Sequence, residues 1–145
     1  MGGQRMIEPV VVTVGFAAAE GGRGIAYAGL RIPGSHEESI VRVRFSCRAR
    51  PALRGRDVAY AALDAVARAL LERGVSAVEV RTADERIVED LARRGELPAA
   101  LTMPYVALRC TLNRFRAASV ARDPGGASRD LAARARAEAC LGAAA

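Results

Sequence analysis

Apolar and polar residues alternate most cleanly between Ser39 and Arg50. Val41, Val43, Phe45 and Cys47 fall on one side of an extended chain; Arg42, Arg44, Ser46, Arg48 and Arg50 fall on the other. A period of two predicts a strand with one covered face and one wet face. Two runs precede it. Pro9–Ala18 is rich in β-branched residues, the composition of a strand buried on both faces. It ends in the turn Glu20-Gly21-Gly22-Arg23-Gly24. Gly24–Ile32 reads as a second strand, closed by Pro33-Gly34-Ser35-His36. Short turns between the three predict an antiparallel meander.

After Pro51 and Gly55 the period changes to that of a helix. Ala61, Ala62, Leu63, Ala65, Val66, Ala69 and Leu70 form a broad apolar stripe, and the small alanines suit close packing on a sheet. Asp57 is the expected N-cap, and Gly74 the expected stop after Glu72. Val75–Val80 predicts a short buried strand. Thr82 is the expected cap of a helix over Ala83–Arg93, with Glu85 completing a capping box. A helical turn over Pro98–Met103, a helix over Pro104–Phe115, a strand over Arg116–Ala121 and a helix over Ala127–Leu141 follow. The order β-β-β-α-β-α-α-β-α predicts an α/β fold. It is a mixed five-stranded sheet, three antiparallel strands then two parallel ones, with helices on both faces. One domain over residues 9–141 is expected, between tails at 1–8 and 142–145.

Composition narrows the function classes. The 145 residues are 51% hydrophobic and 26% charged, an ordinary globular balance. Aromatics are 4% with no tryptophan, which argues against a base-stacking platform. The net charge is +6, and all 22 basic residues are arginine. The arginine-for-lysine choice fits GC-rich coding, but the positive sum makes nucleic acid the default partner class. The three cysteines, Cys47, Cys110 and Cys140, are scattered and read as small buried hydrophobes in a reducing compartment. His36 sits alone in a loop, so neither a His/Cys metal site nor a Ser/His/Asp arrangement is expected. The Gly21–Gly24 turn precedes a strand and no Gly-Lys-Ser/Thr follows, so it is not a phosphate loop. No run is long and apolar enough for a signal peptide or a membrane span. A cytoplasmic protein of bacterial type, with no cofactor and no membrane association, is expected.

Four stretches in this order resemble the ribonuclease H family in its short form. Val12-Thr13-Val14-Gly15-Phe16 resembles the first-strand motif T-D-G-A. Ala59-Tyr60-Ala61-Ala62-Leu63 resembles the helix motif E-Y-x-A-L. Val80-Arg81-Thr82-Ala83-Asp84-Glu85-Arg86-Ile87-Val88 resembles V-x-G-D-S-x-L-V. Val120-Ala121-Arg122 with Ser128-Arg129-Asp130-Leu131-Ala132 resembles R-x-x-N…A-D-x-L-A. The resemblance implies the family's fold and, in active members, four carboxylates that hold two Mg²⁺ ions for phosphodiester hydrolysis. On this alignment the acid positions fall on Val14, Ala59, Ala83 and Arg129, a degenerate site without any of the four. Asp84 and Asp130 lie one residue past two of those places, and one step along a helix turns a side chain by about 100°. Asp64 reads as a solvated or ion-paired helix residue.

Three functions follow as expectations. The first is a catalytically inactive ribonuclease H-like domain, a pseudoenzyme, that binds RNA–DNA hybrid or structured RNA through Arg42, Arg44, Arg48 and Arg50. The same arginines would also guard an edge strand against pairing with other chains. Arg114, Arg116 and Arg122 are candidates to extend the basic surface; Arg129, Arg134 and Arg136 are expected to pair with Asp130 and Glu138. The second is a protein–protein or homodimer module using the alanine-rich last helix. The third is a divergent Mg²⁺-dependent nuclease using Asp84 and Asp130.

Overall fold

Three runs pair as the alternation requires. β1 (Val10–Ala18) and β2 (Arg23–Arg31) are antiparallel, with Gly15 opposite Tyr27; β2 and β3 (Glu38–Ser46) are antiparallel, with Tyr27 opposite Arg42. α1 (Arg56–Glu72) then crosses to β4 (Ala77–Thr82), which runs parallel to β1, with Val14 opposite Thr82. After α2 (Glu85–Leu91) and α3 (Thr102–Leu112), β5 (Ala117–Arg122) adds parallel to β4, and α4 (Ala127–Ala144) closes the chain. The sheet order is β3-β2-β1-β4-β5, so β3 and β5 are its edges. This computed structural model describes the backbone of residues 8–144 and the side chains of residues 8–141. The expected N-terminal tail therefore lies almost entirely outside the described residues, and α4 continues through Ala144 where a tail was expected.

The pleat sorts residues onto two faces. Val12, Val14, Ala26, Ala28, Val41, Phe45, Val78 and Val80 form the main core with Tyr60, Leu63, Val66 and Leu70 of α1 and Leu108 of α3. Each fully buried Val or Leu among them contributes ~1.5–3 kcal/mol. The opposite face carries α4, whose Leu131 and Ala135 pack on Tyr27 with Ala17 and Ile25 alongside. Gly15 lets α4 approach: a Cβ there would fall inside the α4 backbone at Ser128, Leu131 and Ala132.

Several local expectations shift. Cys110 and Cys140 lie exposed on the outer sides of α3 and α4, and only Cys47 is half-buried, so the cysteines are not the buried hydrophobes expected. β3 ends at Ser46: the Cys47 amide makes one more bond in the β2–β3 register, to Gly22 O at 2.8 Å, but left-handed Gly22 and Gly21 carry the partner chain away, so Arg48 and Arg50 lie in a loop and not on the strand. Asp57 is not the N-cap of α1; left-handed Gly55 is. The buried Asp57 carboxylate instead accepts from the Arg50 amide at 2.7 Å and from Val58 N at 3.0 Å, which ties the loop to the helix. Thr82 does not cap α2 either. Asp84 does, accepting from Arg86 N at 3.0 Å and Ile87 N at 3.3 Å. The end of α1 is as expected: Val75 N–H reaches Leu70 O at 3.1 Å and Gly74 N–H reaches Leu71 O at 3.0 Å, with Gly74 left-handed. No helix among the described residues is long and apolar enough to cross a membrane.

Candidate functional site

β1 and β4 run parallel and stop side by side, and the first turn of α4 lies against them. Together they wall a cleft of about 430 Å³ lined by Val14, Gly15, Phe16, Thr82, Ala83, Asp84, Ser128 and Ala132, among others. The floor is apolar: Val14 is 1% exposed. Ala59, also buried, belongs to the same core. The Thr82 hydroxyl accepts from Asp84 N at 3.2 Å. Ser128 Oγ is buried and has no hydrogen-bond partner among the described residues.

The carboxylates around this cleft are committed elsewhere. Asp84 caps α2, as above, and Glu85 pairs with Arg122 at 3.0 Å. Asp123 accepts from Ser128 N at 2.9 Å and Gly125 N at 3.2 Å, securing the entry to α4. Burial works against its charge, yet these donors hold the Asp123 carboxyl below its usual range. Asp130 is exposed on α4. Asp64, as expected, is ion-paired: it meets Arg68 at 3.0 Å and accepts from the Thr111 hydroxyl at 2.5 Å.

A five-stranded sheet in this order, with a three-stranded antiparallel meander, parallel β4 and β5, and a last helix lying over β1 and β2, decides the architecture. It is the ribonuclease H fold. Solved ribonuclease H structures match over most of the chain. The RNase H1 of the halophilic archaeon Halobacterium salinarum NRC-1 is 20% identical, with a TM-score of 0.67 over 90% of this chain and 99% of that one. The N-terminal RNase H domain of a Mycobacterium tuberculosis protein is 18% identical, with a TM-score of 0.69 over 93% and 98%. LC11-RNase H1, solved in complex with RNA/DNA hybrid, is 16% identical, with a TM-score of 0.59 over 90% and 99%. No protein-family model and no curated protein sequence matches the chain.

The ribonuclease H fold implies a pair of Mg²⁺ ions held by carboxylates, and the residues here do not fit them. Mg²⁺ demands hard oxygen ligands with negative charge. The positions that the sequence resemblance assigns to the acids hold a buried valine, two alanines and the exposed guanidinium of Arg129. Ser128 Oγ, the buried hydroxyl without a partner among the described residues, brings no charge. No group of three or more His, Cys, Asp or Glu side chains among the described residues is placed to hold a metal ion.

The four arginines singled out by sequence divide into two pairs. Arg42 and Arg44 project from β3 on the face that carries α4. Arg48 and Arg50 sit in the following loop, beside a groove toward α1 whose lining includes Cys47, Asp57 and Tyr60. All four are exposed. Arg42 is not free: it pairs with Glu138 of α4, which also accepts from the Tyr27 hydroxyl. The guanidinium beside it holds the Glu138 carboxyl below its usual range, and Tyr27 adds to this. Arg44, Arg48 and Arg50 have no carboxylate within salt-bridge distance among the described residues.

Sequence reasoning missed two members of this surface. Tyr27 is the cross-strand neighbour of Arg42, and its ring lies 4.5 Å beneath the guanidinium of Arg134. Arg134 was expected to pair with an acid; it stacks on an aromatic, and Glu138 goes to Arg42 instead. The spacing of Arg134 and Glu138 placed both on one side of α4, but only the tertiary crossing of α4 over β2 shows which side.

Proposed function

We propose that the chain is a non-catalytic ribonuclease H-like domain that binds nucleic acid, RNA–DNA hybrid or structured RNA, through the arginines at and beyond its β3 edge. The observation that carries the reading is a contrast. The positions that the sequence resemblance assigns to the family's four acids hold Val14, Ala59, Ala83 and Arg129, while Arg44, Arg48 and Arg50 extend from an exposed edge without acidic partners among the described residues. A phosphodiester entering the cleft would meet apolar walls, the capping Asp84 and the Arg86 guanidinium, which is engaged with Arg54 O, with nothing arranged to activate a water. A polyanion crossing the β3 edge would meet guanidinium groups.

Arg42 and Arg44, two residues apart on one strand, project ~7 Å from each other on the same face. Each can bind a phosphate bidentately and displace condensed counterions. LC11-RNase H1, whose fold this chain shares, is itself in complex with RNA/DNA hybrid, which supports the ligand class. The test is anisotropy of a labelled RNA–DNA hybrid across a salt series. Binding should weaken steeply with salt and weaken again when Arg42 and Arg44 are both changed to alanine. No binding at low salt would overturn the reading.

A further inference from the structure

Tyr27 stands where β2, β3 and α4 meet. It lies opposite Arg42 in the β2–β3 register, and Leu131 and Ala135 of α4 pack on it. Tyr27 is 5% exposed, and Arg134 roofs its ring with the guanidinium 4.5 Å from the centroid. Arg134 itself is exposed, and no carboxylate lies within salt-bridge distance of it among the described residues. Glu138, one turn further along α4, gives one carboxylate oxygen to Arg42 and the other to the Tyr27 hydroxyl.

This arrangement fixes a cation without neutralising it. A guanidinium over an aromatic face is attracted by the ring quadrupole and keeps its N–H edges for other acceptors. A long side chain already held in place gives up less conformational entropy on binding than a free one. Arg136 is also exposed on α4, but among the described residues it is stacked on no ring.

Arg44 is the diagonal neighbour of Tyr27 on the same face of the sheet, two residues along β3 from Arg42. Diagonal cross-strand neighbours lie ~7–8 Å apart, within reach of long side chains. Arg44, like Arg134, has no acidic partner among the described residues. We propose that Arg134 belongs to the nucleic-acid interface, positioned by Tyr27, and that Arg134 from α4 and Arg44 from β3 grip one backbone phosphate between them. The proposal rests on the nucleic-acid reading above and carries that interface from the sheet edge onto α4.

The experiment measures anisotropy of a labelled RNA–DNA hybrid with the full chain at low salt, and melting curves check that each variant is folded. Arg134→Ala and Arg136→Ala each remove one positive charge from α4. The first should weaken binding about fivefold and the second less than twofold. Tyr27→Leu removes no charge yet should weaken binding about threefold, whereas Tyr27→Phe, which keeps a ring under the guanidinium, should stay within twofold of the parent. The double change Arg44→Ala with Arg134→Ala should lose less than the product of the two single losses, because either change alone opens the shared grip. Equal losses for Arg134→Ala and Arg136→Ala would overturn the assignment and leave a surface that senses net charge alone. Parental binding by Arg134→Ala would also overturn it and reduce Arg134 to a cover for Tyr27. Losses at Arg44 and Arg134 that multiply would overturn the shared phosphate. In each of these cases the parent still binds and the nucleic-acid reading stands; a parent that binds no hybrid would overturn that reading and this proposal together.

Discussion

The cleft where β1 and β4 end and the edge made by β3 are built from opposite materials. In the cleft, Val14 and its neighbours are packed and apolar, and each nearby acid already serves the backbone or an arginine: Asp84 caps α2, Asp123 secures α4, and Glu85 holds Arg122. Along Arg42–Arg50, at and beyond the end of β3, the charges are basic, exposed and only partly neutralised, with Arg42 the one of the four arginines that Glu138 engages. The ribonuclease H frame is kept here around a cleft where no group of three or more His, Cys, Asp or Glu side chains converges among the described residues. What remains available for a polyanion lies elsewhere on the sheet.

The largest effect should come from forcing an acid back into the cleft. Val14→Asp places a carboxylate at a position 1% exposed, with no charge partner built to receive it. It should cost ~3 kcal/mol or more of stability by thermal or urea denaturation. A variant as stable as the parent would mean that the position is open to water and suited to an acid, and the contrast between the two regions would fail.

On the other side of the comparison, the double change Arg42→Ala with Arg44→Ala should weaken hybrid binding about tenfold at low salt. The slope of log K against log salt should become shallower by about one for each phosphate that the variant leaves unneutralised. Thermal stability should hardly move, since both side chains are exposed. An unchanged slope would remove these arginines from the interface.

Asp84→Ala should cost ~1 kcal/mol, the worth of a helix cap. If Asp84 only caps, added Mg²⁺ should leave the melting temperature of both proteins alike. Mg²⁺ stabilisation of the parent that the variant loses would give Asp84 a metal role.

The smallest effect concerns the pair that restrains Arg42. Glu138 has a folded-state pKa below its unfolded value, so its contribution is present above the ordinary glutamate range, near 4.3, and is lost as pH falls through the depressed value. The stability of the parent relative to Glu138→Gln should therefore hold steady above that range and decline below it. At neutral pH the same substitution releases Arg42 and should tighten hybrid binding about two- to threefold. Weaker binding would show that Glu138 orients Arg42 rather than restrains it.

Much of the fold was legible in local pattern. The alternation of Val41, Val43 and Phe45 gave β3 its buried face, and Gly74 marked the end of α1, because period and left-handed glycine are properties of a few consecutive residues. The caps were less legible. Asp57 and Thr82 have the right chemistry at nearly the right place, but Gly55 supplies the turn into α1, and the helix after β4 starts late enough for Asp84 to take its cap. In the candidate site, Val14, Ala59, Ala83 and Arg129 are assigned to the acid positions by the sequence motifs alone. The pairing of Arg42 with Glu138 could not, since the two are joined only by α4 crossing β2. The extent of the arginine row was overstated for a similar reason: beyond Cys47 the partner chain turns away at left-handed Gly22 and Gly21, and β3 loses its pairing before Arg48.

The central claim is binding without cleavage, and one measurement addresses both halves. A labelled RNA–DNA hybrid is incubated with the full chain in Mg²⁺ and, separately, in Mn²⁺, and each mixture is divided between a native gel and a denaturing gel. The account predicts a salt-sensitive shifted complex on the native gel and an intact RNA strand on the denaturing gel. Cleaved RNA, with cleavage abolished by Asp84→Asn or Asp130→Asn, would contradict it.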